Sequence, residues 1–228
     1  MASIPASEWR EVENLSEHVE LPLGRALSEP HRPFEYMYFP ESSVVSTLAV
    51  LTSGKTAEIS TTGREGVVSA GALIGDTRGL YRSVVQVPGS GSRMTLSHFQ
   101  TLRQRLPTFS RRLNAYTRAY LVQVMQSVVC NGCHSVAQRC ARWLLKYHDR
   151  VDGDEFQLTQ ELLSEMLASS RAAVNVELMK FQSVKAIAHS RGILRIVDRS
   201  PLERSACECY RLVRRAYDHL LPGSLKKI

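Results

Sequence analysis

The sequence predicts an α+β protein of two unlike halves: a small β-roll or barrel, then a helical half containing a helix–turn–helix with a β-hairpin behind it. Three observations predict it. Up to Pro107 regularly spaced Gly and Pro cut the chain into short β-branched and aromatic runs. From Thr108 to Val129 it contains neither residue. At Ala168-Ser169-Ser170, inside "SEMLASSRAAVNVEL", two helical phases meet and break.

Composition narrows the class. The chain has 228 residues, 43% hydrophobic and 22% charged, enough for a real core in one large or two small domains. No apolar run approaches the ~18 residues of a membrane span. The opening "MASIPASEWREVENLSEHVEL" is acidic and polar. It predicts no secretory signal and a cytoplasmic location, where thiols stay reduced. The five cysteines (Cys130, Cys133, Cys140, Cys207, Cys209) are odd in number, which argues against a disulfide scaffold. The net charge of +7 is uneven: residues 1–107 hold 10 basic and 11 acidic side chains, residues 108–228 hold 19 and 11. A basic back half points to a polyanion partner for that half.

In chain order, "FEYMYF", "SSVVSTLAVL", "TAEIST" and "SVVQV" read as strands, with Thr52-Ser53-Gly54-Lys55 a hairpin turn. Pro88, Gly89 and Gly91 read as further punctuation. After Pro107, apolar residues at Leu113, Tyr116, Tyr120, Val124 and Val128 mark a long amphipathic helix whose narrow seam suits a two-helix dimer contact. The alternative is a helix lying on its own barrel. "HSVAQRCARWLLKYHDR" is a second helix, and Asp152-Gly153-Asp154 turns the chain. Two helices and a break follow, then a hairpin turning at Arg191-Gly192, and a last helix opened by Pro201. Helix, helix–turn–helix, hairpin, helix is the layout of a winged helix-turn-helix.

The residues of the broken helix suit that layout. Leu162, Leu163, Met166 and Leu167 form the buried side of its first helix, and Val174, Leu178 and Phe181 that of the second. Thr159 caps the first; Ser169 or Ser170 caps the second, exposing N–H groups to a phosphate. Arg171 and Asn175, one turn apart, are placed for a base edge, as the start of a recognition helix requires. Thr159, Gln160, Ser169, Ser170, Lys180 and the hairpin residues Arg191 and Arg195 complete the expected DNA-binding set. An ordinary helical hairpin with a solvated basic face is the plainer alternative.

The chain resembles the Crp/Fnr superfamily of bacterial transcription regulators. The resemblance is carried by "YMYFPESSVVS", "GREGVV", "RSVVQVPG", "HSVAQRCARWLL", "DEFQLTQELLSEMLASSR" and "CECYRLVR", and spans residues 15–217. It implies a cyclic-nucleotide-binding-like β-roll over residues 1–107, a dimerisation helix over 108–133, a winged helix-turn-helix over 134–217 and a flexible tail over 218–228. It implies a non-enzymatic homodimer that binds a palindromic site in double-stranded DNA, with RNA polymerase as a partner and no membrane. In nucleotide-binding members a Gly-Glu pair holds the ribose and an Arg-Ser pair the phosphate. Here the corresponding effector-pocket residues are Gly71, Ala72, Arg82 and Ser83, and Ala72 has no oxygen to accept a ribose hydroxyl. No cyclic nucleotide is therefore expected, and Arg82 has the alternative of a structural ion pair. Ala172 and Val176 replace the Glu and second Arg of cyclic-AMP-responsive relatives, so the operator should differ from theirs. Ala168 stands where most relatives have Gly, and would be strained if the turn needs a positive φ.

Two motifs mislead. "CNGCH" at Cys130–His134 spells a haem-attachment pattern, but neither haem nor an iron–sulfur cluster is expected. The iron–sulfur members use an N-terminal cysteine cluster, and residues 1–129 hold no cysteine. No metal site is expected either. "SGKT" imitates the end of a P-loop but sits between strands. A small-ligand sensor, or a thiol- or metal-based redox sensor with DNA binding secondary, remains the alternative function.

Overall fold

β-Branched side chains separated by small polar ones build two antiparallel sheets from the first half. The computed structural model describes residues 4–226. After helix α1 (Ala6–Asn14), one sheet pairs β1 (Glu17–Leu21) and β3 (Tyr36–Pro40) on either side of β7 (Gly89–Thr95). The other runs β2 (Ala26–Ser28), β6 (Arg82–Val87), β4 (Val44–Val50), β5 (Thr56–Thr62). Leu21 and Tyr38 from the first sheet meet Val45 and Val85 from the second in one buried cluster. The expected turn at Thr52–Lys55 joins β4 to β5, with Gly54 at φ +79°.

Strand β7 was not expected, because its glycines read as turns. Gly91 lies in register with Pro40, and a Cβ on it would come within 2.7 Å of the Phe39 carbonyl oxygen. The glycine is there for close backbone approach inside a strand. Helix α2 (Leu96–Arg105) follows, capped by the Thr95 hydroxyl, which accepts from the His98 N–H.

Helix α3 (Pro107–Cys133) has 27 residues, about 40 Å of helix, with Pro107 in its first turn. Its phase corrects the expected dimer seam. Leu113 and Tyr116 are buried in the chain's own core, and Tyr120 packs beside them with its hydroxyl accepting from Ser60. Gly66 makes room for this, since a Cβ there would fall 2.0 Å from the Tyr116 ring. Aromatic rings bury the most surface, so the aromatic side of the seam turns to the β-roll. Val124 is half-buried, and of the five residues only Val128 faces outward, 71% exposed. The outward apolar face is Leu121, Met125, Val128 and Val129.

Helix α4 (Val136–His148) opens with a capping box between Ser135 and Gln138. Every residue from Cys140 to His148 is buried, because the helix lies between the β-roll and the second half. Trp143 stacks on Tyr147 at 3.7 Å, and Lys146 forms a buried ion pair with Glu58 of β5. A second buried pair, Arg150–Glu65 at 2.8 Å, also joins the halves.

Beyond it lie β8 (Glu155–Gln157), α5 (Gln160–Met166), α6 (Arg171–Ser183), β9 (Ile187–Ser190) and β10 (Ile193–Ile196). The hairpin turns at Arg191-Gly192, both at positive φ (50° and 77°), as a two-residue turn matched to strand twist requires. β8 adds a third strand that "EFQ" was too short to announce, giving the order β8-β10-β9. The expected final helix is two: α7 (Arg199–Ser205), capped by the Asp198 side chain with Pro201 third, and α8 (Glu208–Leu220), packed along α3. The expected flexible tail is also corrected. Leu221 and Leu225 are buried, and the Lys226 N–H donates to the Asp149 carbonyl at 3.0 Å. Lys227 and Ile228 lie outside the described residues. Among the described residues no helix is long and apolar enough to cross a membrane.

Candidate DNA-binding interface

The interface grows from the residues that end α5 and begin α6. Thr159 caps α5, its hydroxyl accepting from the Leu162 N–H at 3.1 Å. After Leu167 the chain reverses through Ala168 at φ +45°. An L-residue there is strained by roughly 1 kcal/mol against glycine. Ala168→Gly is therefore expected to stabilise the fold by about that amount, read as a higher midpoint of thermal or urea unfolding. An unchanged or lower midpoint would show that the turn relaxes around Ala168.

Ser170 is the cap of α6, accepting from the Ala173 N–H at 3.2 Å. Ser169 instead faces inward: its hydroxyl accepts from the Arg139 guanidinium at 3.3 Å, and the same guanidinium binds the Leu167 carbonyl at 2.7 Å. Ser169 thus anchors the turn to α4. Val174, Leu178 and Phe181 form the buried side of α6 as expected, which turns Arg171 and Ala172 outward. The Arg171 side chain is 64% exposed and lies 2.6 Å from the Glu161 carboxylate. Such a surface pair contributes little, so a phosphate or base can displace it. Asn175 is half-buried, and its carboxamide oxygen accepts from Gln160 at 2.7 Å, so the two amides are presented as a unit.

The remaining cations frame this edge. Lys180 is exposed near the far end of α6, paired with Glu177 at 2.9 Å. Arg191 occupies the exposed tip of the hairpin, and Arg195 points outward from β10, 3.7 Å from Glu155. Arg199 does not belong to the face: it turns in to Asp149, Glu203 and His148.

Three further residues on this edge were not assigned from the sequence. Val176 (48% exposed) and Met179 (61%) lie on the outer side of α6, where a thymine methyl would be an apolar partner. Their spacing from Ala172 continues one helical face, a signal masked by the buried face beside it. Lys55, at the tip of the β4–β5 turn, lines the same cleft as Ser169 and Ser170, a juxtaposition no local pattern encodes.

The effector residues are differently placed. Gly71 and Ala72 sit in a short 3₁₀ turn, Ala72 and Ser83 are buried, and the Arg82 guanidinium pairs with Glu29 at 3.2 Å. A separate cavity of about 470 Å³ is lined by Arg64, Arg112, Tyr116 and Leu221 among others. The "CNGCH" motif does not act as a unit. Cys133 is exposed, whereas Cys130 and His134 join Cys207 and Cys209 in a group whose donor atoms all lie within 4.8 Å of one another.

Residues 138–205 match the family described as the Crp-like helix-turn-helix domain. The solved structure of FixK2 from Bradyrhizobium japonicum is similar, with a TM-score of 0.72 at 14% identity, covering 84% of this chain and 98% of that one. The regulator CLP from Xanthomonas campestris gives 0.66 at 16% identity, over 84% and 98%. A Crp/Fnr-family regulator from Eubacterium rectale gives 0.66 at 15% identity, over 92% and 96%. No curated protein sequence matches the chain. With a β-roll, a long helix and a matched helix–turn–helix in this order, the chain has the fold of these solved regulators and carries a Crp-like helix-turn-helix domain over residues 138–205.

Proposed function

We propose that the chain acts in the cytoplasm as a homodimer that binds a two-fold symmetric DNA operator through α6 and regulates transcription there. The observation that carries this is the start of α6: a serine-capped helix with Arg171 exposed beside it. Arg171 and the Gln160–Asn175 amide pair would contact base edges, with Val176 and Met179 against thymine methyls. Thr159, Ser170, Lys180, Arg191 and Arg195 would hold phosphates, and Ser169 would keep the turn in place. Pairing of two α3 helices through Leu121, Met125, Val128 and Val129 would set the two α6 helices about 34 Å apart, one DNA turn. RNA polymerase would be engaged by the DNA-bound dimer.

No cyclic nucleotide enters this reading. Ala72 offers no acceptor to a ribose hydroxyl, and Glu29 already neutralises Arg82.

Operators selected from a random DNA pool give the test. Arg171→Ala is expected to reduce the ratio of operator to random-duplex affinity by about 10- to 100-fold, the worth of one bidentate base contact. Equal ratios for variant and parent, measured at one salt concentration, would remove Arg171 from base recognition.

A further inference from the structure

The last turn of α3 and the start of α8 meet where none of the DNA-facing residues lie. Cys130 and His134 come from the first, Cys207 and Cys209 from the second, and the three thiols are buried together. Cys130 Sγ is 3.5 Å from Cys207 Sγ, and Cys209 Sγ is 3.5 Å from His134 Nδ1. Around a tetrahedral zinc ion, bond lengths of about 2.3 Å to sulfur and 2.0 Å to nitrogen put sulfurs about 3.8 Å apart and sulfur and nitrogen about 3.5 Å apart. We propose that Cys130, His134, Cys207 and Cys209 bind a single zinc ion that fastens the end of α3 to the start of α8.

The surroundings support a metal rather than a chance meeting of thiols. His134 turns Nδ1 to the cluster and Nε2 to the Glu208 carboxylate, 3.3 Å away. A ligand imidazole characteristically has such an outer partner, which fixes its tautomer and orientation. Gln126 Nε2 donates to Cys209 Sγ at 3.1 Å, a bond that favours the thiolate. Cys207 and Cys209 sit at the amino end of α8, where the helix dipole also favours negative sulfur.

Charge adds an independent reason. Arg142 lines the same small cavity as Cys209, is buried, and forms no ion pair with any described residue; its Nε has no hydrogen-bond partner. A buried unpaired guanidinium is costly. Three thiolates, a neutral imidazole and Zn²⁺ together carry one negative charge, which would balance it. Loading releases the three thiol protons to solvent and transfers no electrons. Donor atoms all within 4.8 Å of one another suit one ion, because a multi-iron cluster spreads its ligand sulfurs further. Cys133 is exposed and outside the set.

The test uses no DNA, so its outcome is independent of the operator reading. The full chain, reduced and stripped of metal, is titrated with Co²⁺ and then Zn²⁺. One cobalt per chain with the visible bands of a tetrahedral thiolate complex is expected, and zinc should displace it. Cys133→Ser should leave the titration unchanged, and Glu208→Gln should weaken binding by about 10- to 100-fold. Cys209→Ser and His134→Ala should each alter the spectrum or abolish it, with helicity followed by circular dichroism. No tetrahedral cobalt signal in the reduced, folded parent overturns the site. So does a signal unchanged in both ligand variants, or a Cys130–Cys207 disulfide in a chain that still refuses metal after reduction.

Discussion

Lys146→Met is expected to destabilise the fold by about 3–5 kcal/mol, the cost of leaving a buried carboxylate without its cation. Glu58, whose side chain is 3% exposed, accepts hydrogen bonds from Ser46 at 2.6 Å and Thr61 at 2.9 Å as well as pairing with Lys146. Burial pushes the Glu58 carboxyl up, but the Lys146 ammonium and these donors outweigh it and hold the group below its usual range. For Lys146 the balance is reversed: burial draws its pKa down to about 8 despite the pull of Glu58. For the ammonium, pairing therefore offsets only part of the desolvation cost. The double variant Glu58→Gln/Lys146→Met should then recover most of the lost stability, since glutamine keeps an acceptor for Ser46 and Thr61 without a charge. Urea unfolding of the parent, both single variants and the double variant closes the cycle. A double variant as unstable as the sum of the singles would show that the methylene packing of Lys146, not its charge, matters here.

That pair also marks a limit of reading the sequence. Glu58 sits in a strand and Lys146 in a helix 88 residues later, and nothing local in either segment announces the other. Local patterns were informative where one residue type has one physical use. Arg191-Gly192 between two apolar runs gives the two-residue turn, Ser170 before an apolar phase gives the cap, and Ala168 reaches the positive φ it was suspected of needing. They misled where a residue type has two uses. The glycines at 89 and 91 read as turn formers but lie inside β7, where close backbone approach is what matters. The paired cysteines of "CNGCH" share a motif but not an environment, because Cys130 is covered by the start of α8 while Cys133, the last residue of α3, is exposed. The proposed metal-ligating quartet was legible only in halves, as "CNGCH" and "CEC", and chain topology alone joins them.

Met125→Glu is expected to dissociate the proposed dimer and to weaken operator binding at least as much as any single change in α6. The sequence shows an apolar seam along α3 without showing which way it faces, because a helix of this length has an apolar residue on most of its sides. Packing resolves it. Leu113 and Tyr116 are buried against the β-roll, while Leu121, Met125 and Val128 recur at spacings of four and three along an exposed flank. Met125 is 64% exposed and Val128 71%, flanked by Leu121 and Val129. A contiguous apolar face on a single chain calls for a covering surface, and a two-fold contact of α3 with itself supplies one of identical chemistry. A glutamate at Met125 would face its own copy or an apolar neighbour across the axis, so desolvation and repulsion act together. Sedimentation should find the variant as a monomer where the parent is a dimer, with its unfolding midpoint at low concentration unchanged, because the side chain touches no core of its own. Tyr120→Phe, which removes only the hydroxyl that accepts from Ser60, should leave the dimer intact. The reverse outcome, a dimer lost on Tyr120→Phe and kept on Met125→Glu, would return the contact to the aromatic side of the helix.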